Sequence, residues 1–255
     1  MLRLVALAAV LLVGGCKGPT PAPMPAKREK ESKREGPPPV KPKFDVAPPG
    51  SLSRPQVNDP PKGFVALGEL DDSIRVDMRY ASADNFTGAP LPGYFPGTAW
   101  LTSDAANALV KVQADLAGDG LGLLVFDAYR PLRATKAMVR WAERTGKTKL
   151  LDDGYVARAS NHNRGNTLDL TLVDLKTGKE LDMGTAWDTF SPDSHYAAAK
   201  GEAMDNRKRL RKAMTKHGFE PYEKEWWHFS LVTEPLPRPR DEPYVDTPGP
   251  AEMSP

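Results

Sequence analysis

Two short stretches hold most of the residues able to do chemistry. Ser160-Asn161-His162-Asn163-Arg164-Gly165-Asn166-Thr167-Leu168-Asp169 places a histidine seven residues ahead of a carboxylate, and Glu225-Trp226-Trp227-His228 places a glutamate three residues ahead of a second histidine. His162, Asp169 and His228 are three candidate ligands, and a zinc ion that does chemistry takes three protein ligands and leaves a fourth position for water. Such an ion lowers the pKa of its water to about 7, and Glu225 is placed to take the proton. Arg130, in Asp127-Ala128-Tyr129-Arg130-Pro131, is a permanently charged, forked donor able to stabilise an oxyanion. Of the four histidines, His195 is a competing ligand in an Asp-rich loop. His217 falls in a last helical turn, where a cation offsets the helix dipole.

These side chains need elements to aim them. Leu168, Leu170 and Leu172 alternate with Thr167, Asp169 and Thr171, so a half-buried strand would hold Asp169 opposite the leucines. Trp227, Phe229 and Leu231 alternate with His228, Ser230 and Val232 in the same way. Residues three apart on a regular strand face opposite sides, so Glu225 can join His228 only through an irregular backbone at the strand's entrance. Alternation over Ile74–Tyr80 predicts a strand, followed by a long ordered loop rich in Gly, Pro and aromatics. Thr102-Ser103-Asp104 caps a helix that runs to Leu116 before the Gly118 stop, and Leu121–Phe126 is a buried strand leading to Asp127 and Arg130. Pro131 opens a helix through Leu132, Met138 and Trp141 that stops at Gly146. Asp174–Gly178 is turn chemistry leading into Lys179-Glu180-Leu181, which reads as a hairpin, and a last helix spans about Asp205 to His217. The expected fold is α+β, a single domain with a mainly antiparallel sheet flanked by helices and the zinc site on the sheet.

Composition sets the boundaries within the 255 residues. Thirteen of the 26 prolines fall between Lys17 and Lys62, and seven follow Glu234. Residues 63–234 are therefore read as the folded domain and 235–255 as a Pro-rich disordered tail. The opening MLRLVALAAVLLVGG has one basic residue and then an apolar core too short to span a bilayer, which marks 1–15 as a signal peptide. Small residues lead into Cys16, the one cysteine of the chain, an arrangement that resembles the bacterial lipoprotein signal. Lipidation of Cys16 is favoured over an incidental thiol, and residues 16–62 then form a tether reaching at most roughly 140 Å. The chain is expected to be exported and anchored on the periplasmic side of a bacterial membrane, and Lys17 after Cys16 favours the outer membrane where the source has two. A net charge of +2 implies no strong field toward nucleic acid.

The spaced residues Ser-x-His-x-x-Gly-x-x-x-Asp and Glu-x-Trp-His, here Ser160 to Asp169 and Glu225 to His228, resemble the signature of the zinc D-Ala-D-Ala metallopeptidases. Arg79-Tyr80-Ala81, Asp84–Gly88, Asp127–Pro131, Asp182-Met183-Gly184-Thr185 and Ser194-His195 extend the resemblance to the D-alanyl-D-alanine dipeptidases of the vancomycin-resistance type. That resemblance implies one zinc on His162, Asp169 and His228, Glu225 as general base and acid, and Arg130 at the oxyanion. It also implies a small pocket shaped by Tyr80, Asp127, Ser160 and Asp188, with Asp188 holding the ammonium of a D,D-dipeptide substrate. Thr167 departs from the alanine common in the family. The alternatives are a D,D-carboxypeptidase acting on peptidoglycan stem peptides and a non-catalytic wall-binding module. Resistance dipeptidases act in the cytosol, so an anchored relative points instead to scavenging or wall trimming outside it.

Overall fold

The computed structural model describes residues 57–246. In chain order the elements are β1 (Phe64–Ala66), α1 (Leu67–Leu70), β2 (Arg75–Val76), β3 (Trp100–Thr102), α2 (Ser103–Ala117), β4 (Leu121–Asp127) and α3 (Leu132–Arg144). They continue with α4 (Lys149–Asp152), β5 (Thr167–Asp174), α5 (Gly201–Lys216), β6 (Phe219–Tyr222) and β7 (Glu225–Leu231). One sheet has the order β2-β4-β5-β7-β6, and only its β2-β4 edge is parallel. The fold is thus α+β with a mainly antiparallel sheet, as the strand patterns predict.

The sheet's core is made by the leucine rows. Leu168, Leu170 and Leu172 are fully buried, and α2 and α5 cover the sheet with Leu109, Val112, Leu116, Leu210 and Met214. Thr102 caps α2 by accepting from the Ala105 amide at 3.4 Å. β5 departs from the half-buried expectation: Thr167 through Val173 are all buried, so both faces are covered and Asp169 faces an enclosed site rather than open solvent. The strand expected over Ile74–Tyr80 shrinks to β2, because Arg79–Ala81 turns into a 3₁₀ helix that swings Tyr80 inward. Two pairings without a clear alternation went unforeseen, β1 with β3 and the β6–β7 hairpin. The Asp174–Gly178 turn closes the expected hairpin over a short span: Val173 bridges Glu180, Asp174 N donates to Lys179 O and Leu181 N to Leu172 O, each at 2.9 Å. α5 begins at Gly201, four residues ahead of the expected start.

The domain boundaries need correction. Residues 235–246, expected to belong to a disordered tail, pack onto the domain: Tyr244 is fully buried, with its ring 4.2 Å from that of Trp100 and its hydroxyl donating to Tyr129 O at 2.8 Å. The Asn58 amide donates to Tyr244 O at 2.8 Å, so 57–62 belongs to the fold as well. Proline removes backbone donors but leaves rings and carbonyls to pack, and its density did not separate tether from domain here. The signal, most of the tether, Cys16 and the last residues lie outside the described segment. Among the described residues no helix is long and apolar enough to cross a membrane.

Candidate active site

Three strands set one row of side chains. The register pairs Asp127 of β4 with Asp169 of β5, and Asp169 with His228 of β7. His162 arrives from a 3₁₀ turn, Asn161–Arg164, capped by Ser160, whose hydroxyl accepts from the His162 amide at 3.2 Å. Gly165 ends that turn at φ 73° against the Phe64 ring, a conformation and a close approach that a side chain would oppose. The result is a triangle: His162 Nε2 to Asp169 Oδ1 is 3.2 Å, His228 Nδ1 to Asp169 Oδ1 is 3.1 Å, and His162 Nε2 to His228 Nδ1 is 3.3 Å. His162 Nδ1 donates to Ala128 O at 2.8 Å, which leaves Nε2 with its lone pair toward the other two.

That triangle fits a metal ion. Ligands roughly 2.0–2.1 Å from a tetrahedral zinc stand about 3.3 Å apart, close to the three separations observed. Burial raises the Asp169 carboxyl, but the charges and hydrogen bonds of His162 and His228 outweigh it and hold the group well below the usual carboxylate range. Burial also lowers His228, which favours the neutral imidazole that a metal needs.

Glu225 stands at the mouth of the β6–β7 hairpin. Pro221 pairs with Phe229 and Tyr222 with Glu225, so β7 slips by three residues between those two pairs. The expected irregular entrance is therefore there, and it brings Glu225 Oε2 to 3.7 Å from His228 Nδ1. Burial, then the charges of Asp169 and Asp188, push the Glu225 carboxyl well above its ordinary value. Arg130 is held by Asp127, whose Oδ2 accepts from Nε at 3.0 Å and from Nη2 at 2.7 Å. Its Nη2 lies 4.0 Å from Asp169 Oδ2. Burial works against the guanidinium charge, yet Asp127 more than restores it.

The structure changes the role assigned to Asp127. Fully buried behind Arg130 and also accepting from the Tyr94 hydroxyl at 2.6 Å, it does not line the cavity, so it orients Arg130 rather than touching a substrate. Tyr80, Ser160 and Asp188 do line the cavity. Tyr80 donates to Asp188 Oδ2 at 2.8 Å, and Asp188 sits at φ 56°, held there by Trp187 packed 4.9 Å from Tyr80 and 5.5 Å from Phe126. Desolvation, then Asp169, push Asp188 well above the carboxylate range.

The cavity measures about 240 Å³, below the ~300–1,000 Å³ of ordinary ligand pockets. Tyr155, Tyr222, Phe190 and Met138 complete its wall. Tyr155 and Phe190 were missed in the sequence because isolated aromatics in loops carry no spacing signal, Tyr222 because β6 was not foreseen, and Met138 was read only as a packing residue of its helix. His195 is not a ligand: its Nε2 meets the Tyr155 hydroxyl at 2.9 Å. His217 Nε2 lies 2.6 Å from Asp115 Oδ2, a surface contact at the end of α5.

Two histidines and an aspartate converging on a buried point, with a glutamate and an arginine beside it, define a hydrolytic metallopeptidase on an antiparallel sheet. The pattern of a family described as "D-ala-D-ala dipeptidase" matches residues 61–247. The D-alanyl-D-alanine dipeptidase of Enterococcus faecium is 40% identical over 191 residues, covering 69% of this chain and 94% of the relative. That of Streptomyces coelicolor is 39% identical over 201 residues, with coverages of 72% and 97%, and that of Escherichia coli is 37% identical over 170 residues, with coverages of 66% and 84%. The chain belongs to the D-Ala-D-Ala dipeptidase family.

Proposed function

We propose that this protein is a zinc-dependent dipeptidase that hydrolyses D-Ala-D-Ala to two D-alanines. The observation that carries the reading is the His162–Asp169–His228 triangle with Glu225 and Arg130 on its border. Held by those three ligands, zinc supplies a Lewis acid and a water acidic enough to attack at neutral pH. Glu225 takes the proton of the attacking water and returns it to the leaving amine, a transfer suited to a carboxyl whose pKa burial has raised. Arg130, fixed by Asp127, donates to the oxygen that becomes negative as the peptide carbon turns tetrahedral. Asp188, with its Oδ2 already hydrogen-bonded to Tyr80, receives the substrate ammonium, and Ser160 borders the same cavity.

Small volume and aromatic walls favour the dipeptide over a stem peptide, which needs an open groove. Incubating the chain with D-Ala-D-Ala, L-Ala-L-Ala and a pentapeptide ending in D-Ala-D-Ala tests this. Turnover of the first alone is expected, and preferential trimming of the pentapeptide would replace the dipeptidase reading with a carboxypeptidase. The sequence of the first sixteen residues supports export and lipidation at Cys16, which would place the activity outside the cytosol as a scavenger of the dipeptide or a trimmer of wall peptides. Fractionation of spheroplasts tests that part: activity in the membrane fraction, released by Cys16→Ser, is expected, and cytosolic activity would overturn it.

A further inference from the structure

Helix α3 carries its charge on one side. At about 100° per residue, Arg133, Lys136, Arg140 and Arg144 fall within an arc of roughly 80° and form a line about 17 Å long. Met138, which lines the cavity, lies on the opposite, buried face. Lys147 follows just past the helix, its ammonium 4.7 Å over the Trp141 ring. The nearby acids are already engaged: Asp241 with Arg133 at 3.2 Å and Glu143 with Arg158 at 3.4 Å. Lys136, Arg140 and Arg144 are exposed and form no ion pair among the described residues. Exposed Arg238 borders the same shallow groove as Arg133 and extends the line at its near end.

The described chain begins at that end. Asn58 Nδ2 donates to Pro243 O at 3.1 Å, and two residues earlier in that segment Asp241 accepts from the Arg133 amide at 2.6 Å. The described segment therefore starts beside the first cation of the line.

We propose that this face of α3 docks on an anionic phospholipid bilayer, with headgroup phosphates as the ligands of Lys136, Arg140 and Arg144. The anchor reading supplies only the nearness of a bilayer; the cationic line stands apart from it and from the peptidase chemistry. Juxtaposed with a negatively charged leaflet, each such cation strengthens binding about five-fold.

The test uses residues 17–255, which retain every described residue and carry no lipid. Co-sedimentation is measured with vesicles of phosphatidylcholine alone and of phosphatidylcholine mixed with phosphatidylglycerol. Salt-sensitive binding to the mixed vesicles only is expected. Replacing the three cations by Lys136→Gln, Arg140→Gln and Arg144→Gln together should weaken it roughly 100-fold, with D-Ala-D-Ala turnover unchanged. A charge-matched control on α5, Lys208→Gln, Arg209→Gln and Lys212→Gln, should bind like the parent. Equal binding by the α3 variant, equal loss in the α5 control, equal binding to neutral vesicles, or capture by soluble polyphosphate without vesicle binding would each overturn the proposal.

Discussion

Four carboxylates and one guanidinium share the catalytic cavity and its wall, and each carboxylate has a different task because each has different neighbours. Asp169 is held ionised by two imidazoles, Asp127 is spent on Arg130, and Glu225 and Asp188 are pushed toward the protonated form by desolvation and by Asp169. Glu225→Gln keeps the shape but removes the proposed base. Zinc content should stay at one per chain while kcat falls by about 10²–10⁴, as elemental analysis and D-alanine release will show; unchanged rates would mean another group takes the proton. Asp188 allows a test through pH. A carboxyl whose folded pKa is raised above its unfolded value of about 3.9 stabilises the fold fully only below that value, and the contribution is lost as pH rises through the folded pKa. In the metal-free protein, Asp188→Asn should therefore raise the melting temperature over the parent, with a gap that widens as pH rises above the unfolded value of about 3.9. Asn tolerates the positive φ of this position, so the same variant should fold and show a raised KM for the dipeptide.

At the level of elements, the site depends on two departures from regular strand geometry. The three-residue slip in β7 carries Glu225 to the side of His228, and the register shift between Val125 and Asp127 sets Asp127 in line with Asp169. The first was legible as a contradiction: a base three residues before its ligand cannot share its face on a regular strand. Of the proposed metal ligands, Asp169 and His228 were legible because their alternation with Leu168, Leu170, Trp227 and Phe229 fixes which face they take, whereas His162 was legible only by its spacing from Asp169. Much of the rest was not. Asp127 looked like a substrate contact because its depth behind Arg130 depends on pairing across the sheet, and the proline-rich 235–246 looked unfolded although Tyr244 completes an aromatic cluster with Trp100, Tyr129 and Tyr94. Tyr244→Ala should lower unfolding stability by about 3–5 kcal/mol, read from denaturant melts; an unmoved midpoint would show that the tail contributes nothing to the fold.

For the molecule as a whole, the buried charges make folding and metal binding one equilibrium. Asp169 helps push Glu225 and Asp188 toward the protonated form in a desolvated space, and a divalent cation on the triangle would offset the repulsion among their ionised forms. Free zinc at about 100 times its dissociation constant should stabilise the chain by about 2.7 kcal/mol, visible as a melting temperature that falls on chelation and returns on zinc addition. The most direct test of the account joins that equilibrium to turnover: zinc is titrated into the chelated protein while D-alanine release from D-Ala-D-Ala is followed. Activity should rise from background and level off at one zinc per chain, and the His162→Ala protein should stay at background throughout. Full turnover by the chelated protein, or a plateau unaffected by loss of His162, would contradict a catalytic metal at His162, Asp169 and His228.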